Sequence, residues 1–404
     1  MRNTAVCTES CRVGVNGALR GCCLDPYSAT IAVMRLVAIL ALLSAGCIGP
    51  VPFLCTDDMK CPGGQCEPNG YCSFPDESCT SARRYGTHAP EEISDTCVKD
   101  CIRDIALGDT HGCLRTEEGA IWCWGNGFQA PTPLPVGDAR QIAAGGTQTC
   151  AIVGDAGVVQ CWGSEAPGDL HGAVHVALGK NHGCALLTDG SVVCWGTVGF
   201  QNASALGAGG SSTCALAVDG LYCWGDNQCG QLGLASAEMY AEPTKTELEL
   251  SGAPVLGASH ACGIHNDDVV CWGDTDDAMG CSMRVVDPTP LQAEQRPSPR
   301  VLAAGRAHSC VLYETEAIAC WGDAAKGQLG PALFGGMAHS ELTAINVALP
   351  PARAIAAGGD TSCAVTKTGR VLCWGDGAQG QLGTLDVPVS AEPLDKVSDS
   401  VLCP

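Results

Sequence analysis

From about residue 102 onward, short apolar runs alternate with glycine- and aspartate-rich turns. One kind of run is small and apolar, as in Ile142-Ala143-Ala144-Gly145 and Ile355-Ala356-Ala357-Gly358. It suits a short strand packed against copies of itself, where bulky side chains do not fit. The next kind comes in pairs: Cys184 to Leu187 and Val192 to Trp195 flank Thr188-Asp189-Gly190, a hairpin signal. A tight antiparallel hairpin brings its first and last residues face to face, so cysteines at those ends can form a cross-strand disulfide. Closing so short a loop contributes roughly 2 to 3 kcal/mol if the bond is unstrained.

The pattern recurs seven times. Cys-Trp-Gly begins at Cys123, Cys161, Cys194, Cys223, Cys271, Cys320 and Cys373. Each has a second cysteine nine to eleven residues earlier: Cys113, Cys150, Cys184, Cys214, Cys262, Cys310 and Cys363. Five residues before each of these stands a glycine: Gly108, Gly145, Gly179, Gly209, Gly257, Gly305 and Gly358. Such units cannot bury their faces alone and must stack against one another. Three units continue into Gly-Gln-Leu-Gly, at 230 to 233, 327 to 330 and 380 to 383.

With Cys-Trp-Gly-Asp ahead of it, as at Cys373 to Asp376, this run resembles the regulator-of-chromosome-condensation (RCC) repeat. The resemblance implies an all-β fold over residues 102 to 404, a seven-bladed β-propeller of four-stranded blades. Successive Cys-Trp-Gly motifs lie 38, 33, 29, 48, 49 and 53 residues apart, so blades 1 to 3 are expected to lack or shorten the outer strand. Seven of the eight tryptophans follow the hairpin cysteine, a periodic placement that points to packing between blades rather than a sugar- or choline-binding platform.

Ahead of the repeats the character is different. Met34-Arg35, the apolar Leu36 to Ala45 and Ser44-Ala45-Gly46-Cys47 read as a signal peptide over 34 to 46, too short to span a membrane. Its end resembles the lipobox of bacterial lipoproteins, which makes Cys47 the expected lipidation site, although Ser44 replaces the usual aliphatic residue. Residues 1 to 33 then read as an over-extended frame ahead of a start at Met34. Residues 47 to 101 form a cysteine-dense stalk with Cys55, Cys61, Cys66, Cys72, Cys79, Cys97 and Cys101, too poor in aliphatics to build a core. A zinc ribbon would need Cys-x-x-Cys knuckles, and this stretch has none.

Composition agrees with export. A chain of 404 residues with 29 cysteines is expected in an oxidising compartment. A net charge of -21, or -23 without residues 1 to 46, argues against nucleic acid, which is recognised through Lys and Arg. Cys229, Cys281 and Cys403 fall outside the seven pairs; a bridge between Cys229 and Cys281 and a tie from Cys403 to Cys97 or Cys101 would complete the pairing.

Candidate chemistry is sparse. His111, His182, His260 and His308 each stand two residues before a hairpin cysteine, but equivalent positions spread around a ring cannot converge on one ion. A polar group bonding the adjacent backbone is the simpler account. Asp57-Asp58 and Asp274 to Asp277 lack the Asp-x-Asp-x-Asp-Gly pattern of a calcium loop. We expect no metal, no cofactor and no catalytic residue that a local motif would identify.

The leading expectation is therefore a lipid-anchored protein of the bacterial cell envelope, facing periplasm or exterior. It would display a disulfide-stapled propeller that binds a protein partner, and it would touch the membrane only through its anchor. A lyase or hydrolase acting on a polysaccharide or small molecule at the channel mouth is the alternative; a lectin with one pocket per blade would need more uniform loops. The long segments 234 to 254, 282 to 299 and 331 to 352 are the expected recognition surface.

Overall fold

The computed structural model describes short stretches at 12–13, 19–20, 61–66, 71–75, 83–89 and 94–95, and then residues 102–397 except 127, 164–167, 169, 275–296 and 332–339. Cys47 lies outside the described residues, as do Cys55, Cys79, Cys97, Cys101, Cys281 and Cys403. In the stalk, Gln65–Cys66, Cys72–Pro75 and Arg83–Tyr85 form a three-stranded sheet, and Cys61 is bonded to Cys72. Cys66 and Cys229 are also disulfide-bonded.

Each Cys-Trp-Gly unit is one antiparallel meander, and seven of them make a seven-bladed propeller. In blade 1, strands Ile102–Leu107, His111–Thr116, Ile121–Gly125 and Phe128–Pro133 run from the axis outward. Blades 4, 6 and 7 are likewise four-stranded, with outer strands Tyr240–Lys245, Ser340–Val347 and Val389–Leu394. Blade 2 has Ala139–Gly145, Gln148–Val153 and Val158–Trp162; blade 3 has Ala173–Leu178, Gly183–Leu187 and Val192–Trp195. Blade 5 has three strands among the described residues, and its inner strand is only Val255–Leu256.

The expected shortening of blades 1 to 3 therefore holds for blades 2 and 3 but not for blade 1. The 38 residues that separate the first two motifs leave room for Phe128–Pro133 before blade 2 begins; 33 and 29 residues do not. The segments at 234 to 254 and 331 to 352 are also less loop-like than expected, because they supply the outer strands of blades 4 and 6. Leu248 and Leu250 then cover the apolar interface between blades 4 and 5.

Register explains the core. Cys113 pairs with Cys123 directly across the hairpin, and the same holds for Cys150/Cys161, Cys184/Cys194, Cys214/Cys223, Cys262/Cys271, Cys310/Cys320 and Cys363/Cys373. All seven pairs are disulfides with Cα–Cα distances of 4.0 to 4.1 Å. This close spacing is that of a non-hydrogen-bonded antiparallel pair, so the third-strand cysteine's own N–H and C=O point outward, toward a fourth strand. Because successive strand residues alternate faces, the tryptophan after each cysteine projects from the opposite face. The disulfide of one blade therefore meets the tryptophan of the next. Cys310–Cys320 packs in one cluster with Trp374, Cys363–Cys373 with Trp124, Cys214–Cys223 with Trp272 and Cys262–Cys271 with Trp321. An apolar cluster lies at each of the seven blade interfaces.

Candidate functional site: the axial channel and the interblade latches

The small residues of the inner strands line a central cavity of about 610 Å³. Ala143, Ala144, Ala177, Ala208, Ala304 and Ala357 give it a short-side-chain wall, and the polar groups in it are few. Gln141 of blade 2 reaches blade 3, where its Nε2 lies 2.8 Å from His175 Nδ1 and its Oε1 accepts the Val176 N–H at 2.8 Å. Burial lowers the His175 pKa, so this imidazole is neutral at pH 7. Ser204 donates to the Leu216 carbonyl. Leu107, Leu178 and Leu256 also line a second cavity of about 130 Å³, so they stand where the two cavities adjoin.

The rim of this smaller cavity is glycine: Gly108, Gly145, Gly179, Gly209, Gly257, Gly305 and Gly358, one from each blade. Space explains them. A Cβ on Gly305 would lie 2.3 Å from the His308 imidazole, and Gly108, Gly179 and Gly257 stand in the same relation to His111, His182 and His260. In blades 2, 4 and 7, which lack the histidine, a Cβ would instead strike a backbone carbonyl of the next blade. At this mouth Arg306 pairs with Asp360 across the junction of blades 6 and 7, and the carboxylate raises the arginine pKa further.

The four histidines do not bond the adjacent backbone, as the sequence suggested. Each reaches the next blade. His111 Nε2 lies 2.6 Å from Thr149 Oγ1, His182 Nε2 2.7 Å from Thr213 Oγ1, His260 Nε2 2.7 Å from Ser309 Oγ and His308 Nε2 2.8 Å from Ser362 Oγ. The tautomer of one follows from its surroundings. Ser362 donates its single hydroxyl proton to the Gln328 carbonyl, so it accepts from His308, which carries its proton on Nε2. Burial lowers all four pKa values, to about 4 for His260 and about 3 for His308.

Matching residues in two successive units make each latch. Where the following blade offers Gly112, Gly183 or Ala261 in place of a hydroxyl, the preceding blade has Thr361, Gln148 or Ser212 in place of histidine. Gly112 and Gly183 are forced by their own blades, since a Cβ there would lie 2.4 Å and 2.2 Å from the rings of Trp124 and Trp195. This pairing was readable by aligning each unit with its successor rather than with an average unit.

The Gly-Gln-Leu-Gly turns form a second latch. Trp124 Nε1 donates to the Gln381 carbonyl at 2.7 Å, Trp272 to Gln231 at 2.9 Å and Trp374 to Gln328 at 2.9 Å, each across a blade junction. Each turn therefore caps the indole of the blade that follows it. Trp195 and Trp224 follow blades without the turn, and their buried indole nitrogens have no partner among the described residues.

Residues 102–129, 173–197, 203–231 and 352–381, in blades 1, 3, 4 and 7, match the regulator of chromosome condensation (RCC1) repeat. The chain is a seven-bladed propeller with RCC1 repeats in four of its blades. RCC1 domain-containing protein RUG3, mitochondrial, from Arabidopsis thaliana is 28% identical over 312 residues, which cover 73% of this chain and 58% of that protein. The secretion-regulating guanine nucleotide exchange factor of Mus musculus is 27% identical over 207 residues, covering 35% of this chain and 44% of its own. This chain thus spans less than two thirds of either relative. Among solved structures, human WBSCR16 is similar with a TM-score of 0.51 and 16% identity, covering 65% of this chain and 85% of that one. The RCC1-repeat propeller here differs within itself: four of its blades carry the histidine of the first latch and three the glutamine turn of the second.

Among the described residues no three His, Cys, Asp or Glu side chains come together as a metal site. The four histidines stand at four different blade junctions.

Proposed function

We propose that the chain is an exported lipoprotein, acylated at Cys47 and held on the cell envelope by that lipid, and that its RCC1-repeat propeller is a platform for a protein partner. Buried His, Trp and Gln groups, which would carry chemistry elsewhere, tie blade to blade here. That commitment is the observation that carries the binding reading: it leaves a rigid ring whose free groups lie at the two mouths and on the outer loops. A disulfide in every blade and the signal-like segment at 34 to 46 support an oxidising location. A relative that acts as a guanine nucleotide exchange factor is consistent with a regulatory role exerted on another protein.

The test is made with the full chain in a bacterial host. Mass spectrometry should find an acylated N-terminal Cys47, and Cys47→Ser should move the protein out of the membrane fraction. Cross-linking in intact cells should trap a stoichiometric protein partner on the propeller. An unmodified Cys47 in a chain that still sediments with membranes would sink the anchor, and a propeller that cross-links only to itself would sink the platform.

A further inference from the structure

The seven hairpin disulfides share one geometry but not one environment. Twelve of the fourteen hairpin cysteines are buried: all seven middle-strand cysteines, and the third-strand cysteines of blades 1, 4, 5, 6 and 7, which range from 0% exposed for Cys223 to 6% for Cys123. Cys161 and Cys194, the third-strand cysteines of blades 2 and 3, are only partly buried, and so are Trp162 and Trp195 beside them.

Among the described residues a fourth strand separates blades 1, 4, 6 and 7 from blades 2 and 3; in blade 5 three strands are described, and Cys271 is nonetheless buried. In the four-stranded blades the residues paired outside the cysteine are Thr132, Thr244, Ile345 and Leu394, so backbone stands directly beyond the sulfur on the outer side. In blade 3 the outer edge carries one bridge, Val192 to Phe200, two residues short of Cys194. In blade 2 the Leu170 carbonyl accepts from Val159, two residues short of Cys161. Thiol–disulfide exchange requires a thiolate to approach a sulfur in line with the bond that breaks. Each disulfide here joins the middle strand to the third, so an approach to the third-strand sulfur in line with that bond comes from the outer edge. Among the described residues, blades 2 and 3 leave this edge open.

We propose that Cys150–Cys161 and Cys184–Cys194 are sites of thiol–disulfide exchange with a dithiol reductant, while the disulfides of the other five blades are shielded. A thiolate of the dithiol bonds to Cys194 Sγ as the Sγ–Sγ bond breaks, and the electron pair leaves on Cys184. The second thiolate of the dithiol then attacks its partner sulfur in the mixed disulfide and releases Cys194. The dithiol becomes a disulfide, and the protein gains two electrons and two protons as two thiols. Blade 2 reacts in the same way, with Cys161 attacked and Cys150 leaving. The two sites are adjacent in the ring, so reduction unstaples one side of the propeller and leaves the rest closed.

The experiment uses the full folded chain, dithiothreitol over a range of concentrations and timed alkylation with peptide mapping by mass spectrometry. Alkylation at Cys150, Cys161, Cys184 and Cys194 should run about tenfold or more ahead of the other ten ring cysteines, with a rate proportional to reductant concentration. Equal rates at all seven pairs, a rate that does not change with reductant, or earlier opening of a pair in a four-stranded blade would each overturn the proposal.

Discussion

The junction between blades 6 and 7 and the junction between blades 2 and 3 are built on the same repeat and held in different ways. At the first, His308 meets Ser362, the Ser362 hydroxyl and the Trp374 indole both donate to the Gln328 carbonyl, and Trp374 is fully buried. At the second, no histidine of blade 2 crosses and Trp195 is only partly buried; Gln148 donates to the Lys180 carbonyl, and Gln141 reaches His175 and Val176. The comparison teaches that the unit of stability in this ring is the junction. A residue in one blade contributes only if its successor carries the matching group, as expected where nearest-neighbour terms dominate.

The largest expected difference comes from the tryptophans. Trp374→Ala should cost about 3 to 5 kcal/mol, as for other fully buried aromatic truncations, and Trp195→Ala less than half of that, in denaturant unfolding under oxidising conditions. Similar losses at both sites would erase the distinction between the junctions.

Next is the latch. His308→Ala removes one of the hydrogen-bond partners of buried Ser362 together with a buried ring, and should cost about 2 to 3 kcal/mol. A double-mutant cycle with Ser362→Ala should return a coupling of about 1 kcal/mol, and one between His308 and Thr149, in different junctions, should return none.

The junction of blades 7 and 1 offers a converse trial. Gly112→Ser would place a hydroxyl where a latch could form, but its Cβ would meet Trp124. Destabilisation of about 1 to 3 kcal/mol is expected, with no recovery on adding Thr361→His. A stabilised double variant would show that the indole moves aside and that glycine here is not required by packing.

The smallest effect near neutrality is that of pH. Burial holds His260 and His308 neutral in the fold, with pKa values of about 4 and about 3, whereas the unfolded chain takes up protons near 6.5. The stability they support is therefore complete above pH 6.5 and declines as the pH falls toward 4. Over the first unit below neutrality the two together should lose about 1.4 kcal/mol, and the slope should steepen below pH 6. Melting temperatures across this range would measure the slope, and His308→Gln should flatten it.

Much of this fold was legible because its strongest signals are local. Cys-Trp-Gly and the cysteine before it lie within one hairpin, and the small apolar run before them is a single strand. The histidine latches were not read because each joins residues 31 to 54 positions apart, and averaging the units hides the dependence of His260 on Ser309 or of Gln148 on Gly183. Outer strands were misjudged for a related reason. Phe128–Pro133 carries two prolines and little alternation, so its place as a fourth strand emerges only when the third strand beside it supplies a ladder. The long segments after Cys223 and Cys320 hid strands in the same way.

Every blade is made from one unbroken stretch of chain, from Ile102 to Pro133 in the first and from Ala352 to Leu394 in the last. Among the described residues no strand is exchanged across the junction where the ring closes. Tension applied between the first and last blades would thus bear on side chains alone: Trp124 on the Gln381 carbonyl, Arg353 on the Ile102 carbonyl and the apolar cluster around Val397. A ring of this kind should part under load at that seam, like a clasp, before any sheet is unzipped.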